Sequence, residues 1–403
     1  MKLKIAVFFD ANKDGGGGYY QSLAVSNSLN KLQNEKFQFI FICTDKENQK
    51  KLIELGLKTE FYSKKNLSRK YYKLINSPIS RYLFKLLRIK NPFNNFLIER
   101  NFDLIIFLGP SFFIQLCESI NFITTIYDIN HVLENYFPEY KDEATHLEKN
   151  NIIVKSTERA FKILVDTERT AEEIKTYFRC KDDKIIVQPF TTYLPTLYEQ
   201  NFKNLNFEQQ ILNIGLNLQD KFLFYPAQFW PHKNHKYILD SLKILKDNNV
   251  NLKVVFSGSN KGNFEYLKKI IKNLELNEQV LIFPFLREEE IICLYKYCTA
   301  VVMPTYVARS TLPLYESFYF KKPIFYSKGI LDEKLEKFVI PFDLDDPGDL
   351  SKKIIDFLKQ DTTENKLSEA KKYYELNCNE KNLMNNYRNI LNKYLNLKSI
   401  WKS

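Results

Sequence analysis

Short apolar runs recur along this chain, and stretches with helical spacing separate them. The runs are rich in Ile, Val and Phe, which is typical of strands buried on both faces of a parallel sheet. Between them apolar residues recur at helical intervals, as at Ile238, Leu242 and Leu245. The pattern predicts strands at residues 4–9, 37–43, 104–108, 122–127, 162–165 and 184–187, and a second set at 222–225, 252–256, 280–283, 300–303, 323–326 and 338–340.

The two sets of strands predict two doubly wound α/β domains, with crossover helices between parallel strands. A polar interval with the Asn- and Gln-rich run 201–210 separates the sets. We therefore predict a first domain over residues 1–195, a linker over 196–220 and a second domain over 221–380. Residues 381–403 are predicted to form a terminal helix that packs back on the first domain. Ligands of open α/β sheets bind at the carboxyl ends of the strands, so a cleft between the two domains is expected.

Composition excludes several classes of protein. The chain has 403 residues, of which 44% are hydrophobic and 27% charged, so a disordered protein is excluded. The net charge of +11 favours an anionic partner. Six cysteines without a CxxC pair predict buried thiols in a reducing compartment. The first apolar run is too short for a signal peptide, which favours a cytoplasmic protein.

A run of four glycines follows the first predicted strand and precedes a helix. The backbone amides of Gly16, Gly17 and Gly18 are candidates for contact with a phosphate at the helix N-terminus. A flexible turn is the alternative. The run matches neither the dinucleotide fingerprint GxGxxG nor the GxxxxGK[ST] of nucleoside triphosphatases.

Two further anion candidates lie between a strand and a helix in the second half. Lys233 stands where a point charge suits a diphosphate, although a solvated lysine explains it equally. Its neighbours His232 and His235 suggest zinc only weakly, because no Cys or carboxylate completes a ligand set. In the other stretch Ser310 and Thr311 precede a helix that carries Glu316, which is either a ribose ligand or a capping residue.

Taken together, four segments resemble the retaining glycosyltransferases of family four, which have the GT-B fold of two facing Rossmann-like domains. The strand and Lys-Asn element of that family is similar to YPAQFWPHKNH, and its Leu-Pro-x-x-Glu block is similar to VVMPTYVARSTLPLYESFYFKKPIFYS. The other two similarities are YDINH with FPE, continued by VDTE and KIIV, and FDLDDPGDL. The resemblance covers nearly the whole chain.

The resemblance implies a role for each matching residue. Lys233 would bind the donor diphosphate, the amides of Ser310, Thr311 and Leu312 would cradle it, and Glu316 would hold the ribose. Asp128, His131 and Arg309 are the implied catalytic candidates. The remaining implied donor contacts are Gly16, Gly17, Gly18, Gln228, Gly258 and Leu286.

Three positions depart from the family pattern. Ala308 replaces the first glutamate of the Glu-x7-Glu element, Gln228 replaces an arginine, and Tyr127 replaces the histidine of a His-Asp pair. The family's front-face mechanism uses the leaving phosphate to deprotonate the acceptor, which implies a nucleotide-diphosphate sugar as co-substrate and no metal or other cofactor. The string Asp343-Leu-Asp345 mimics a metal-binding DxD, but its place in the alignment predicts a solvated loop.

Basic residues are concentrated at residues 63–97, where nine Lys or Arg occur without an acid. Arg81, Lys85 and Arg88 follow helical spacing beside leucines and aromatic residues, as in helices that dock on an anionic membrane. A solvated helix face and a nucleic-acid patch are the alternatives. With the family resemblance, we expect no nucleic acid and peripheral binding to the inner face of the cytoplasmic membrane.

The resulting hypothesis is a transferase that moves a sugar from a UDP- or GDP-sugar to a lipid-linked glycan, in synthesis of a bacterial capsule or lipopolysaccharide. One alternative is a GT-B relative that epimerises or hydrolyses a nucleotide sugar. Another is a non-catalytic protein that binds a nucleotide sugar or a membrane, which the departures at Ala308, Gln228 and Tyr127 leave open.

Overall fold

Two parallel sheets make up the core of the chain. The computed structural model describes residues 2–75, 87, 89–359 and 364–401. In these residues the first sheet has seven strands in the order β3-β2-β1-β4-β5-β6-β7 and the second has six in the order β10-β9-β8-β11-β12-β13. Every strand pair in both sheets is parallel. The predicted pair of doubly wound α/β domains is therefore confirmed.

The first sheet forms because its strands are apolar on both faces. The central strand β1 pairs with β2 from Leu3 opposite Phe37, and with β4 from Ile5 opposite Leu104. The strands are β1 Leu3–Phe9, β2 Phe37–Cys43, β3 Thr59–Phe61, β4 Leu104–Phe107, β5 Asn121–Thr125, β6 Lys162–Val165 and β7 Ile185–Val187. The helices of this unit are Gly17–Lys31, Lys46–Glu54, Lys65–Ile75, Pro92–Glu99, Asn130–Leu133, Glu143–Arg159, Glu168–Phe178 and Glu380–Lys398.

The second sheet repeats the arrangement with a core of Val, Ile, Phe and Tyr. Its strands are β8 Phe222–Pro226, β9 Lys253–Ser257, β10 Val280–Phe283, β11 Ala300–Met303, β12 Ile324–Ser327 and β13 Ile340–Phe342. The helices of this unit are Tyr193–Leu197, Phe207–Asn213, His235–Asp247, Phe264–Asn273, Glu288–Tyr297, Leu312–Tyr319, Glu333–Glu336, Pro347–Lys359 and Glu364–Asn377.

The chain divides into two compact units, and each unit is built from separate stretches of the sequence. The first consists of Met1–Leu133, Glu143–Pro189 and Glu380–Ser403, and the second of Glu134–Asp142 and Phe190–Asn379. The last helix belongs to the first unit, where the Tyr394 hydroxyl donates to the carbonyl of Asp103 at 2.9 Å. The short segment Glu134–Asp142 lies in sequence between two stretches of the first unit but belongs to the second unit.

Some elements differ from the prediction. Residues 196–220, predicted as a linker, contain the helix Phe207–Asn213, whose Phe207 and Ile211 are buried in the core of the second unit. The strand β3 has no buried residue and therefore no apolar signal in the sequence. The last strand begins at Ile340 rather than at Phe338, because the amides of Phe338 and Val339 donate to carbonyls of the helix Glu333–Glu336.

All six cysteines are buried free thiols, as the apolar sequence around them predicts. Within the described residues, no helix is both long enough and apolar enough to cross a membrane. The basic segment 63–97 is described only in part. Its helix Lys65–Ile75 is visible, whereas Arg81, Lys85 and Arg88 lie outside the described residues.

Candidate functional site

The order of strands reverses direction between β1 and β4 in the first unit, which is where ligands of such sheets bind. The glycine run follows β1 there, and Gly16 has a φ of 64°, a left-handed conformation that favours glycine. The helix Gly17–Lys31 begins at the run. A cavity of about 260 Å³ opens at this point, lined by Asp10, Ala11, Asn12, Gly15, Gly18, Tyr19, Ser22, Gly109, Pro110 and Tyr127.

A half-buried carboxylate, that of Asp10, lies beside this cavity. The hydroxyl of Ser111, which follows β4, donates to Asp10 Oδ2 at 2.5 Å. Burial raises the pKa of Asp10 to about 6, against the hydrogen bond from Ser111 and the charges of Lys65 and Arg69, which lower it. The carboxylate is thus held at the end of β1 by a residue at the end of β4.

Tyr127 closes another wall of the cavity. Its hydroxyl donates to the carbonyl of Leu108 at 3.0 Å. The ring lies so close to Gly109 that a Cβ there would stand 2.7 Å from the Tyr127 hydroxyl. Gly109 therefore leaves room for the ring of Tyr127. Burial raises the pKa of Tyr127 to about 12, so it is a neutral phenol.

The two polar candidates after β5 differ in exposure. Asp128 is exposed, and its Oδ1 accepts from the amide of Asn130 at 3.0 Å, which starts the helix Asn130–Leu133. His131 is buried against His146, with ring centroids 5.3 Å apart. Burial lowers the pKa of His131 to about 4, so its imidazole is neutral. Asp128 remains accessible to a ligand, whereas His131 does not face open solvent.

In the second unit the strand order reverses between β8 and β11. Lys233 ends the loop after β8 and is half-buried. The buried Tyr225 donates from its hydroxyl to the Lys233 carbonyl at 2.7 Å, and the Lys233 amide donates to the carbonyl of Trp230. The backbone that carries the lysine is therefore fixed from both directions.

Close backbone packing joins this loop to the end of β9. A Cβ on Gly258 would stand 2.3 Å from the carbonyl oxygen of Ala227, so only glycine fits. Gln228 Nε2 donates to Ser259 Oγ at 2.9 Å, and Trp230 Nε1 donates to Gln228 Oε1 at 3.0 Å. Gln228 thus braces the loop with both ends of its amide. Leu286, after β10, packs its side chain into the core.

The loop after β11 carries the next group of candidates. Ser310 and Leu312 are buried, and Thr311 caps the helix Leu312–Tyr319 by accepting from the amide of Leu314 at 3.2 Å. Ala308 has a φ of 131°, a region that residues with a Cβ rarely adopt. The hydroxyl of Tyr326 donates to the Ala308 carbonyl at 3.1 Å. The next side chain, Arg309, is almost fully buried.

Glu316 lies one turn into that helix and is buried. Its Oε2 accepts from the hydroxyl of Tyr295 at 2.7 Å. Burial raises the pKa of Glu316 to about 7, and the hydrogen bond from Tyr295 lowers it. The carboxyl is therefore partly protonated near neutral pH, and a hydroxyl-bearing ligand meets either an acceptor or a donor there.

The two histidines beside Lys233 have structural partners. His232 Nδ1 shares a hydrogen bond with Glu139 Oε1 inside the second unit. His235 Nε2 donates to the carbonyl of Ala227 at 3.3 Å, and burial lowers the pKa of His235 to about 3. No cluster of three or more metal-ligating side chains occurs among the residues that the structure describes. Asp343 and Asp345 are exposed in a turn, where the Asp345 amide donates to Asp343 Oδ1 at 2.9 Å.

The structure thus gathers the candidates at two sheet edges. Lys233, Gly258, Leu286 and the loop of Ser310 all follow carboxyl ends of strands in the second sheet. Sequence reasoning missed Asp10, Ser111, Tyr295 and Glu139. Asp10 and Ser111 had a usable signal, because each follows an apolar strand and the two strands are neighbours.

Comparison with known proteins agrees with this architecture. Residues 206–373 match the sequence model of the family described as Glycosyl transferases group 1. No curated protein matches the chain.

Several solved structures have the same fold at low identity. A glycosyltransferase from Rickettsia africae is 15% identical, with a TM-score of 0.69 over 98% of this chain and 99% of that one. Anabaena HepE in complex with UDP and glucose is 13% identical, with a TM-score of 0.72 over 97% and 100%. WaaG, a glycosyltransferase involved in lipopolysaccharide biosynthesis, is 12% identical, with a TM-score of 0.66 over 92% and 95%.

The family match covers the strands of the second sheet and the loops that carry Lys233, Thr311 and Glu316. The fold of both units agrees with that of solved glycosyltransferases. Residues 206–373 are therefore similar to a glycosyl transferases group 1 domain, and both units have the fold of solved glycosyltransferases.

Proposed function

We propose that the chain transfers a sugar, with retention of configuration, from a UDP- or GDP-sugar to a hydroxyl of a lipid-linked glycan. The proposal rests on the groups that lie at the carboxyl ends of the strands in the second sheet. There a fixed lysine, a capped helix N-terminus and a buried carboxyl group follow neighbouring strands inside the domain that the family matches. Anabaena HepE, solved with UDP and glucose, supports a nucleotide-sugar donor.

The donor binds to the second unit in this proposal. Lys233 supplies a positive charge to the diphosphate, and the backbone amides at Ser310, Thr311 and Leu312 supply hydrogen bonds at the start of a helix. Arg309 adds a second cation next to the same helix. Glu316 holds the ribose hydroxyls, since an acidic side chain bonds well to a diol.

Transfer requires stabilisation of the leaving diphosphate more than it requires a strong base. The bond between the anomeric carbon and the donor phosphate breaks on the same face on which the acceptor oxygen attaches. The acceptor proton passes to the leaving phosphate oxygen. Lys233 and the helix N-terminus meet the phosphate charge in this scheme, so the reaction is proposed to need no metal ion and no other cofactor.

The acceptor binds to the first unit in this proposal, where Asp128 is exposed after β5. WaaG acts in lipopolysaccharide biosynthesis, which supports a bacterial surface polysaccharide, a lipopolysaccharide or a capsule, as the product.

Peripheral binding to the cytoplasmic face of a membrane is part of the proposal. The helix Lys65–Ile75 exposes Lys70 and Lys73 together with Leu67 and Leu74, which are 52% and 48% exposed. Exposed leucines beside lysines suit the interface of an anionic bilayer, where apolar burial and charge attraction add.

The first experiment is a thermal-shift screen of the protein against UDP, GDP, CDP and their sugars, with and without EDTA. A ligand that binds only the folded state raises the melting temperature, so we expect a shift with one nucleotide that EDTA leaves unchanged. A shift that EDTA abolishes would contradict the metal-independent part. No shift with any nucleotide would contradict the proposal as a whole.

Two variants test the assigned residues in the same screen and in a transfer assay. Lys233→Ala should lose about a tenfold factor or more in donor affinity, because it removes a charge-assisted contact to phosphate. Lys236→Ala is the matched control, since that lysine lies three positions further on, is exposed and pairs with Asp240. Nucleotide binding without any transfer would favour the non-catalytic alternative, which the alanine at position 308 keeps open.

A further inference from the structure

The carboxylate of Asp10 has no part in the donor contacts proposed above. It stands at the end of β1, and its partner Ser111 follows the neighbouring strand β4. These two strands flank the reversal of strand order in the first sheet. The cavity beside Asp10 is therefore located where open α/β sheets bind ligands.

The charge of Asp10 decides which ligand fits. A half-buried carboxylate beside the glycine run repels a phosphate, because two like charges in a partly desolvated cavity are unfavourable. Lys65 and Arg69 act on Asp10 from the helix Lys65–Ile75 and favour its ionised form. An ionised carboxylate is purely a hydrogen-bond acceptor, so its matching ligand group is a hydrogen-bond donor, and in the proposed sugar transfer that donor is a sugar hydroxyl.

The volume of the cavity suits a single sugar ring. The cavity holds about 260 Å³, close to the lower end of ordinary ligand sites at about 300 Å³. Part of its lining has little or no side chain, since it consists of Gly15, Gly18, Gly109 and Ala11. Ser111 holds Asp10 Oδ2 in place, which fixes the carboxylate before a ligand arrives.

We propose that this cavity is a sugar subsite in which Asp10 accepts hydrogen bonds from the hydroxyl groups of a neutral ring. This inference rests on the proposed function. It differs from the expectation drawn from the sequence in one respect: the glycine run, of which Gly15 and Gly18 line the cavity, borders a sugar rather than the donor diphosphate. The ring is either the sugar of the nucleotide donor or the terminal sugar of the acceptor, and both have the same chemistry.

The test is Asp10→Asn, which keeps the shape of the side chain and replaces one acceptor oxygen by a donor. We measure the affinity for UDP, the affinity for the UDP-sugar identified in the screen, and the KM for the acceptor glycan. The subsite predicts an unchanged affinity for UDP and about a tenfold loss in one of the other two quantities. A weaker affinity for the UDP-sugar would mean that the cavity holds the donor sugar. A higher KM for the acceptor would mean that it holds the terminal sugar of the acceptor.

Stability separates binding from a structural role. Burial makes the ionised Asp10 unfavourable in the folded state, so Asp10→Asn should keep or raise the melting temperature at neutral pH. Ser111→Ala should weaken binding of the same sugar as Asp10→Asn does, because it removes the hydrogen bond that holds the Asp10 carboxylate in place. Asp45→Asn is the control, since Asp45 is exposed and only caps the helix Lys46–Glu54.

Several results would overturn the subsite. They are sugar affinities within about twofold of the unmodified chain, an equal loss for UDP itself, or a lower melting temperature together with uniform loss of binding. If the unmodified chain binds no nucleotide, the proposed function fails. The cavity is then tested with methyl glycosides of glucose and N-acetylglucosamine by ligand-observed NMR, where signals that Asp10→Asn abolishes support the subsite and their absence in the unmodified chain overturns it.

Discussion

Glu139 and His232 lie 93 positions apart in the sequence and share a hydrogen bond inside the second unit. The His232 ring stacks with Tyr140 and Trp230 at centroid distances of 6.2 and 6.4 Å. The carbonyl of the same histidine accepts from the amide of Tyr306 at 3.0 Å. Glu139 thus fixes the residue that joins the loop of Lys233 to the loop after β11.

Replacing Glu139 should disturb the donor loops without touching a ligand. Glu139→Ala leaves His232 without its buried partner, which costs about 1–3 kcal/mol of unfolding free energy. We expect a higher donor KM with a smaller change in kcat, because the loop of Lys233 loses its brace. Glu139→Gln retains an acceptor oxygen and should recover most of the affinity. Steady-state kinetics and urea unfolding check both, and equal effects of the two variants on KM would refute a positioning role.

The same pair has a defined pH dependence. Burial opposes ionisation of Glu139, but the hydrogen bonds to its carboxylate and the charge of His232 together outweigh burial and hold the pKa of Glu139 below its ordinary value. A carboxyl with a lowered pKa stabilises the fold above its unfolded pKa, and the contribution is lost as the pH falls through its folded pKa. The difference in unfolding free energy between the unmodified chain and Glu139→Gln should therefore shrink in acid.

Strands buried on both faces could be predicted from the sequence because an apolar run is a local signal. Residues 37–43, 162–165, 280–283 and 300–303 were predicted with their observed bounds. The strand β3 lacked that signal, since all three of its residues are half-buried. The packing of Glu134–Asp142 in the second unit had no local signal either, because it depends on contacts with residues far along the chain.

In the candidate site, too, local signals were visible in the sequence and long-range contacts were not. Lys233 and Glu316 were found through motifs that follow strands. The partners that fix them, Tyr225 and Tyr295, look in the sequence like ordinary core residues. Asp10 escaped notice because a single acid at the end of a strand has many explanations. Its meaning depends on Ser111, which the sequence places 101 positions away.

Glu316 should make stability depend on pH in the opposite sense from Glu139. Burial raises the pKa of Glu316 to about 7, so the folded state binds a proton that the unfolded state has released above the ordinary value of 4.5. The free energy of unfolding then falls as the pH rises from about 4.5 through about 7.

Glu316→Gln cannot ionise and should remove this dependence. Relative to the unmodified chain, it should be more stable at about pH 8 than at about pH 5, by about 1.4 kcal/mol for each unit of pKa shift. Urea unfolding at the two pH values measures the difference. The affinity of Glu316→Gln for UDP should fall, because an amide accepts fewer hydrogen bonds from the ribose than a carboxylate does. Parallel stability profiles for the two proteins would contradict the raised pKa.

Ala308 should be replaceable by glycine with a gain in stability. Its φ of 131° is strained for any residue with a Cβ, and such strain amounts to about 1–3 kcal/mol. Ala308→Gly relieves the strain but enlarges the entropy of the unfolded chain, so we expect a net gain of up to about 1 kcal/mol.

Ala370→Gly is the matched control for Ala308→Gly, because Ala370 lies within the helix Glu364–Asn377 and should lose about 1 kcal/mol. Opposite signs for the same substitution would identify backbone strain as the cause. Ala308→Glu, which introduces the glutamate expected from the sequence resemblance, should lose stability in this backbone conformation. A destabilised Ala308→Gly would show that the conformation at this position is not strained.

The helix Lys65–Ile75 should govern attachment to anionic vesicles. Lys70→Glu with Lys73→Glu reverses two exposed charges beside the exposed Leu67 and Leu74, and each basic residue near such a surface contributes about 1 kcal/mol. We expect flotation with phosphatidylglycerol vesicles to fall sharply in this variant, and salt to weaken binding of the unmodified chain because it screens the attraction. Lys46→Glu with Lys50→Glu makes the same change in net charge on another exposed helix of the same unit. If both pairs reduce flotation equally, overall charge rather than this helix directs binding, and if neither does, the proposed membrane contact is wrong.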